Sequence, residues 1–295
     1  MSWSLYRWTW QLESPLYVGM PPAGSLNRCR LYVPARALWG AVTAEMARAT
    51  AGGGFPEYEK VGEELRQELR FTYLFPAERV GNEWRAWLPR YEEKRGLVWQ
   101  REDAACNELP DRQFRMRLLS AQPSTAIEPS SDTAAEGSLR ETECMNTRWR
   151  QHRDLPSGPV GLVGYVLMNS NLRKELREGL EQLNFTTVGG DARYGLGRLR
   201  RIGGMSQAAD VFGCRVDLAR DNPVVDAERV LGHANVCANN LGLMGELELL
   251  RGWDYGKRDH WRTEKPLWMP GSATNEPRKW RIAASGHWLL ADDAL

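Results

Sequence analysis

The residues best suited to chemistry lie in one short segment, 189–201, which holds four glycines and four arginines in thirteen residues. Glycine permits positive φ angles and close backbone approach, and successive amides in such a loop can form a concave anion site. Arginine adds fixed charge in a fork suited to phosphate, and a tyrosine ring offers a surface on which a base can stack. The segment therefore predicts a loop that binds phosphate and bases, built from Gly189, Gly190, Arg193, Tyr194, Gly195, Gly197, Arg198, Arg200 and Arg201.

The same segment has a second interpretation that involves no ligand. A glycine-rich hairpin turn that leads into an edge strand, with its arginines in solvent, would show the same composition. The segment is not a Walker loop, because no Gly-Lys-Ser/Thr follows it. It is not a dinucleotide fingerprint, because a predicted helix precedes it and a predicted strand follows it. Both interpretations stay open at this point.

Other catalytic and metal-binding chemistries find little support. The four histidines stand apart with no HxH or HExxH pair, no GxSxG nucleophile elbow occurs, and Asp259 beside His260 lacks a nucleophile. We therefore predict no catalytic residue, no metal site and no cofactor. Two pairs of neighbouring acids fit a solvated face or a tail, namely Glu246 with Glu248 and Asp292 with Asp293.

Composition narrows the class of protein. The net charge is only +1, although 33 of the 39 basic residues are arginine, which favours phosphate contacts, stacking and buried interfaces. The 13 tryptophans indicate large flat contacts in the core or at interfaces. Five scattered cysteines without a CxxC pair are typical of reduced thiols, and neither a signal-peptide core nor a run of 18 apolar residues occurs. We expect a cytoplasmic protein that has no membrane partner.

Hydrophobic periodicity predicts the elements that must position the glycine-rich segment. Residues 77–113 show no clear period and are interpreted as an insertion, and residues 120–138, rich in Pro, Ser, Thr and Ala, as a loop or finger. The element order is the split β-α-β plan, so we predict an α+β fold with a ferredoxin-like (RRM-like) β-α-β-β-α-β core. The predicted strands are 3–12, 71–75, 114–119, 158–168 and 196–202, and the predicted helices are about 36–50 and 171–183. Residues 57–69 carry a charged amphipathic pattern.

This organisation divides the chain into two parts. Residues 1–204 would form the ferredoxin-like domain, with the glycine-rich loop leading into its last strand and a large insertion at about 77–146. Residues 205–295 would form a β-rich C-terminal part of short strands and long loops. Its best strand candidates are 211–218, 241–250 and 280–284.

Four short motifs occur in order along about two thirds of the chain. Residues 14–19 (SPLYVG) look like an early P-L-x-hydrophobic-G loop. Residues 31–41 (LYVPARALWGA) look like a Y-I-P-G-S-S-L-[RK]-G-A helix start, with alanine and arginine in place of glycine and serine. Residues 126–143 look like an A-I-D…A-x-x-G-x-L-[FY]-x-x-E hairpin, and residues 189–201 look like a glycine-rich signature loop. Together the motifs resemble the RAMP superfamily of CRISPR-associated proteins, which build RNA-guided effector complexes.

The resemblance extends to the C-terminal part and implies a function. Residues 245–248, 252–253 and 268–272 look like the tail of RAMP subunits in type III-D-like complexes, which cap the 5′ handle of the guide RNA. The resemblance implies a non-catalytic subunit that binds guide (CRISPR) RNA and holds its 5′ handle. Its other expected partners are further RAMP subunits and, through the complex, target nucleic acid.

Three further arginines are predicted to line the RNA path. Arg28 and Arg30 lie in the loop at 15–30, and Arg36 lies at the start of the first helix, where free amides and the helix dipole favour anions. RAMP subunits that cut target RNA carry an aspartate in this loop, whereas residues 15–30 contain no Asp or Glu. This departure from the family pattern favours binding over cleavage.

Three alternatives stay open. The chain could be a backbone subunit repeated along the guide RNA, with a finger at residues 120–146 wedged into the guide–target duplex. It could be a metal-independent endoribonuclease that matures the guide RNA, with His152 or Tyr194 as the acid or base. It could also be a scaffold without direct RNA contact.

Overall fold

The computed structural model describes residues 2–103, 106–235, 242–253, 261–263 and 265–291. Within these residues the chain is an α+β protein with far more strand than helix, which confirms the predicted class. Its α-helices are α1 (Ala35–Ala49), α2 (Tyr58–Glu68), α3 (Asp111–Leu118) and α4 (Lys174–Gln182).

The strands fall into two groups along the chain. Up to residue 201 they are β1 (Trp3–Leu12), β2 (Leu26–Asn27), β3 (Leu69–Phe71), β4 (Phe75–Val80), β5 (Glu83–Glu92), β6 (Gly96–Arg101), β7 (Glu108–Pro110), β8 (Leu119–Ser124), β9 (Ile127–Glu128), β10 (Thr133–Ala134), β11 (Arg140–Met145), β12 (Arg148–Trp149), β13 (Gly158–Asn169), β14 (Phe185–Thr187) and β15 (Arg198–Arg201). Beyond it they are β16 (Ser206–Gln207), β17 (Asp210–Val211), β18 (Cys214–Asp217), β19 (Val224–Arg229), β20 (Ala234–Asn235), β21 (Leu247–Glu248), β22 (Arg251–Trp253), β23 (Trp261–Thr263), β24 (Leu267–Trp268), β25 (Ala273–Ile282) and β26 (Trp288–Leu290).

The larger sheet is built around two long antiparallel strands, β1 and β13. Its strands follow the order β14-β15-β1-β13-β4-β5-β6-β7, and β3 also pairs with β13. Along β1 and β13, Trp3 lies opposite Asn169 and Gln11 lies opposite Gly161. The last ten residues of β13 are all buried. Such an unbroken buried run is expected of a strand that is covered on both faces.

One face of β1 lies under the helices. Trp8 and Trp10 are buried and meet edge to face, with ring centroids 5.5 Å apart, and Trp8 also contacts Phe71 of β3. Helix α1 contacts α2, α4 and β3. It buries an apolar stripe at helical spacing, in which each fully buried side chain stabilises the fold by about 1.5–3 kcal/mol. The stripe includes Leu38, Val42 and Met46.

The opposite face of β1 lies under the C-terminal part. The Trp3 Nε1 donates a hydrogen bond to the Asp221 carbonyl oxygen at 3.2 Å. Phe212 packs edge-on against Tyr165 of β13, with ring centroids 4.8 Å apart, and against Phe75 of β4. The C-terminal part therefore shares one apolar core with the larger sheet.

The second sheet has the order β17-β18-β19-β25-β26-β20-β24-β21. The strand predicted at 280–284 lies at the end of β25, where Trp280 is buried. The strand predicted at 211–218 is broken into β17 and β18 by a turn at Phe212 and Gly213, which have φ angles of 51° and 82°. Of the strand predicted at 241–250, the described residues form only β21 and an antiparallel bridge between Met244 and Ala273, and residue 241 lies outside them.

The predicted insertion contains regular elements, and one prediction within it is wrong. Residues 77–113 contain regular structure, because most of them belong to the antiparallel strands β4–β7. Adjacent buried residues such as Ala86 and Trp87 hide the period of two in β5. Residues 114–119 were predicted as a strand, but residues up to Leu118 form the end of α3.

The sequence pattern in α3 suggests a strand although the residues are helical, because an arginine occupies a core position. Phe114 stacks on Trp99, with ring centroids 4.4 Å apart and planes 5° apart. Arg117 is also buried, pairs with the Glu78 carboxylate, and lies over the Trp149 ring at 4.7 Å. The apolar and basic residues that alternate from 114 to 118 therefore form the end of a helix, and one of the basic residues makes a buried ion pair.

Residues 120–138, predicted as a loop or finger, belong to a hairpin. Strands β8 and β11 pair from Leu119 opposite Met145 to Ser124 opposite Arg140, and β9 and β10 pair at the tip. Strand β11 also runs parallel to β2. The base of this finger is therefore tied to the loop at 15–30.

A buried polar cluster joins that loop to the C-terminal part. Arg30 Nη2 lies 2.6 Å from Glu248 Oε1, and Tyr32 donates a hydrogen bond of 2.8 Å to Glu248 Oε2. His233 Nε2 lies 3.0 Å from the same oxygen, and His233 Nδ1 lies 2.7 Å from the Tyr73 hydroxyl. Glu248, expected on a solvated face, is thus an internal residue. Burial alone would raise the pKa of Glu248, but the hydrogen bond with His233 and the charge of Arg30 lower it to about 2.

We predict that Glu248→Gln lowers the free energy of unfolding by about 3 kcal/mol at neutral pH, because it leaves the Arg30 charge buried without its counter-ion. The folded-state pKa of Glu248 lies below its ordinary value of 4.5, so its stabilisation is complete above that pH. The stabilisation is lost as the pH falls towards about 2. Urea unfolding at several pH values should show the wild type and the variant converging in acid. The exposed Glu63→Gln is the control, and a pH-independent difference would contradict the prediction.

Candidate nucleic-acid interface

The glycine-rich segment forms the turn of a hairpin between β14 and β15. Phe185 lies opposite Arg200, and Thr187 lies opposite Arg198. Strand β15 also pairs with β1, so it is covered along both edges. The hairpin interpretation is confirmed for the backbone, and the strand is internal to the sheet.

Two of the glycines permit close contact between segments of the protein. Gly189 has a φ of 90°, and a Cβ there would lie 2.3 Å from the Tyr17 carbonyl oxygen. Gly197 has a φ of 82°, and a Cβ there would lie 2.0 Å from the Val188 carbonyl oxygen. The amides of Gly190 and Gly197 donate to Tyr17 and Pro15 carbonyl oxygens, each at 2.8 Å. These amides are therefore used to hold the loop at 15–30.

The exposed tip of the segment is a short 3₁₀ turn, Ala192–Tyr194. Asp191 precedes it in the left-handed region, with φ 57° and ψ 27°. Within the described residues the amides of Asp191, Ala192 and Arg193 donate to no acceptor, whereas the Tyr194 amide donates to the Asp191 carbonyl oxygen. Three successive amides that donate to no acceptor of the described residues are available for an anion, as the composition predicted.

Tyr194 lies between two guanidinium groups at this tip. Its side chain is exposed, and the Arg193 and Arg140 guanidinium carbons lie 5.1 Å and 5.5 Å from the ring centroid. Arg140 Nη2 also pairs with Asp191 Oδ2 at 3.1 Å. The cluster Arg140–Tyr194–Arg193 therefore offers a stacking surface with positive charge on it.

Arg140 is a member of this cluster that the site prediction missed. It lies at the end of the finger in strand β11, far from the glycine-rich segment in sequence. The signal was present in the hairpin motif at 126–143, which contains Arg140, but nothing local shows that the outer end of β11 meets the loop tip.

Arg198 and Arg200 share one counter-ion. Their Nε atoms lie 3.1 Å and 2.9 Å from the two carboxylate oxygens of Glu13, and the Arg198 guanidinium lies over the Phe185 ring at 5.1 Å. Both arginine side chains are more than two-fifths exposed. Two guanidiniums on one carboxylate leave one positive charge beside the loop.

Two of the predicted site residues have structural roles in this chain. Arg201 is buried and donates to the Leu180 carbonyl oxygen at 2.7 Å and to the Glu181 carbonyl oxygen, so it caps the end of α4. Burial lowers the pKa of Arg201. Arg30 is buried in the ion pair with Glu248. The sequence shows their charge, but the partners that bury them are distant along the chain.

The remaining two predicted arginines lie apart from the loop tip. Arg36 lies in the first turn of α1 and is half-buried, and a Cβ on Gly252 would lie 3.5 Å from its guanidinium carbon. Arg28 lines a groove between the loop at 15–30, the start of α3 and the C-terminal part. The predicted residues are thus divided among a loop tip, a groove, the start of α1 and the interior.

The described residues contain no group of three or more His, Cys, Asp or Glu side chains that could hold a metal ion. Burial raises the pKa of Cys29 to about 12 and that of Cys144 to about 11, so neither thiol is activated. His152 Nε2 lies 3.2 Å from the Gln113 side-chain oxygen. Asp259, His260, Asp292 and Asp293 lie outside the described residues. Among the described helices, none combines the length and hydropathy needed to cross a membrane.

Comparison with solved structures finds the same fold in chains of a type III CRISPR complex. A chain of the type III-B Cmr-beta cryo-EM structure bound to cognate target RNA and AMPPnP has a TM-score of 0.54 and 12% identity, covering 91% of this chain and 85% of that chain. A chain of the Cmr-beta structure bound to cognate target RNA has a TM-score of 0.53 and 13% identity, covering 91% and 86%. The sequence matches no protein-family model and no curated protein. At such identities the likeness shows a shared fold.

We predict different outcomes for two alanine substitutions in the loop. Gly195→Ala costs about 1 kcal/mol, because φ is 84° but no heavy atom lies within 4 Å of the new Cβ. Gly197→Ala costs at least about 2 kcal/mol more, because its Cβ would collide with the Val188 backbone. Chemical unfolding measures both changes. Equal costs would show that the loop does not need the close contact seen at Gly197.

Proposed function

We propose that the chain is a non-catalytic RNA-binding subunit of a multi-subunit, RNA-guided complex of the type III CRISPR class. The observation that carries the proposal is the exposed Tyr194 between Arg140 and Arg193, on a fold shared with chains of a type III complex that was solved with target RNA. The motifs that resemble the RAMP superfamily support the same assignment. Other RAMP subunits and target nucleic acid are the further partners, and the site of action is the cytoplasm.

The proposal includes a ferredoxin-like core. Its two halves are β1–α1–β3 and β13–α4–β15, which match the split β-α-β plan. The strands stand side by side as β15-β1-β13-β3, with each neighbouring pair antiparallel. In this core the glycine-rich hairpin leads into the last strand, as the sequence predicted.

Single-stranded guide RNA fits the tip of the hairpin. A splayed base stacks on the Tyr194 ring, and Arg193 with the available amides of the 3₁₀ turn receives a phosphate. The half-neutralised pair Arg198 and Arg200 extends the positive surface along β15. Because Arg140 is held by Asp191, it can turn towards a phosphate only by giving up a surface ion pair of small cost.

A handle-capping role is favoured over a repeated backbone role by the charge of the finger. Its tip, residues 125–139, contains Glu128, Asp132 and Glu136, all exposed, and no lysine or arginine. Three carboxylates would be repelled by the phosphates on both sides of a guide–target duplex. We therefore propose that this subunit holds the 5′ handle of the guide RNA.

We predict that Tyr194→Ser weakens binding of single-stranded RNA by about 1–3 kcal/mol, whereas Tyr194→Phe keeps the affinity because it keeps the stacking surface. Fluorescence polarisation with a labelled RNA, repeated at several salt concentrations, measures this. Arg193→Gln should also reduce the salt slope by roughly 0.7, which corresponds to one phosphate contact. Arg220→Gln, an exposed arginine paired with Asp217, is the matched control. Unchanged affinity of Tyr194→Ser would remove the loop tip from the RNA path.

We predict that the purified chain cleaves neither repeat RNA nor target RNA, with magnesium or with EDTA. No carboxylate lies in the loop at 15–30 to anchor a divalent ion, and His152 is engaged with Gln113. Denaturing gels of incubated RNA give the readout. A discrete cut that survives EDTA and disappears in His152→Ala would instead support the endoribonuclease alternative. In an assembled complex that cuts its target, Asp191→Asn should leave the cleavage unchanged.

A further inference from the structure

A groove beside the loop at 15–30 has no residue of the glycine-rich segment in its lining. It has a volume of about 710 Å³ and is bounded by that loop, by the start of α3 and by β21. This size lies within the range of about 300–1,000 Å³ that small-molecule sites occupy. It is therefore suited to a compact ligand or to one unit of a longer chain.

The groove carries two arginines that form no ion pair with a carboxylate of the described residues. They are Arg28 and Arg112, and both line it. The neighbouring Arg115 is different, because its Nε lies 2.7 Å from the Asp111 carboxylate. Helix α3 also starts in the groove, and Pro110, its N-cap residue, supplies no side-chain hydrogen bond to the free amides. Two free guanidiniums beside an uncapped helix start favour a phosphate.

The walls of the groove are apolar. Leu97 lines it from β6, Met20 and Pro21 from the loop at 15–30, and Leu247 and Leu249 from the C-terminal part. Leu247 and Leu249 are about half exposed and, with Met20, Pro21 and Leu97, form an apolar lining that solvent can reach. Apolar side chains on opposite sides of a slot can hold the two faces of an unstacked base.

One carboxylate in the groove remains unpaired. Glu246 lines it and is exposed, and its side chain makes no ion pair within the described residues. Glu248, its neighbour in the lining, is held by Arg30 inside the protein. A free carboxylate beside a base accepts hydrogen bonds from an exocyclic amino group, such as the N4 amino group of cytosine.

We infer that this groove is a binding site for a single unstacked ribonucleotide, with the phosphate on Arg28 and Arg112 and the base between the apolar walls. Phosphate, base face and base edge each meet a group of matching chemistry in the groove. The site goes beyond the proposed function, because it binds a nucleotide without the Tyr194 tip. The loop at 15–30 connects the two, since Tyr17 touches the glycine-rich segment while Met20 and Arg28 line the groove.

The test titrates the full chain with CMP, UMP, AMP and GMP and, in parallel, with the four nucleosides. Saturation-transfer NMR measures the binding. The wild type should bind the nucleotides better than the nucleosides. The double variant Arg28→Gln with Arg112→Gln should weaken nucleotide binding at least about ten-fold. The control, Arg220→Gln, removes an exposed arginine that pairs with Asp217 away from both sites, and it should bind mononucleotides as the wild type does. Glu246→Gln should reduce the preference for CMP over UMP.

Several results would overturn the inference. They are a wild type that binds none of the four nucleotides, a double variant that binds them unchanged, and a groove that takes a synthetic peptide of residues 125–139 but no nucleotide. The last result would make the groove a docking site for an acidic protein segment.

The inference and the proposed function can fail separately. Guide RNA carrying 4-thiouridine should crosslink to peptides that contain Met20 or Leu249, and the crosslinks should be lost in the double variant. A chain that binds mononucleotides in the groove but no guide RNA would keep the groove and remove the proposed function. A chain that binds guide RNA through Tyr194 without these crosslinks would keep the proposed function and remove the groove as a site on the RNA.

Discussion

Strand β1 carries large apolar side chains on both faces, so both faces must be covered by other parts of the chain. This requirement determines where the helices and the C-terminal part pack. Trp8 and Trp10 require a cover of helices on one side, while Trp3 requires the C-terminal part on the other. After β1 the chain continues into the loop at 15–30, which makes contacts with several other segments. That loop touches the glycine-rich segment, the base of the finger and the groove. The loop at 15–30 therefore adjoins both candidate RNA sites.

The elements that could be predicted are those whose periodicity is local. The strands at 3–12 and 158–168 and the helices at 36–50 and 171–183 appear within a few residues of their predicted bounds. The end of α3 could not be predicted, because Arg117 occupies a core position and its partner Glu78 lies in another strand. Regular structure in the insertion was hidden for the same reason. Which side chains of the insertion are buried depends on contacts with distant parts of the chain.

The residues of the candidate site also divide into those that the local sequence identifies and those whose role depends on distant partners. Tyr194 and Arg193 could be identified from the sequence, since an exposed ring and charge in a glycine-rich turn need no distant partner. Arg30 and Arg201 carry the same charge, but Arg30 pairs with Glu248 and Arg201 donates hydrogen bonds to the end of α4. The glycines also divide by role. Gly189 and Gly197 permit contact with other backbone of the protein, so a glycine-rich motif at such a loop does not by itself indicate contact with a ligand.

Phe212 packs between Tyr165 and Phe75, so the two parts of the chain depend on each other for burial of these rings. A polypeptide that stops near residue 204 would present the aromatic face of β13 to solvent, and such surfaces drive aggregation. The two parts of the chain should therefore melt in a single cooperative transition. Limited proteolysis of the connection after β15 would yield fragments that stay associated. Neither half should therefore be obtainable as a soluble folded fragment, so the two parts have to fold together.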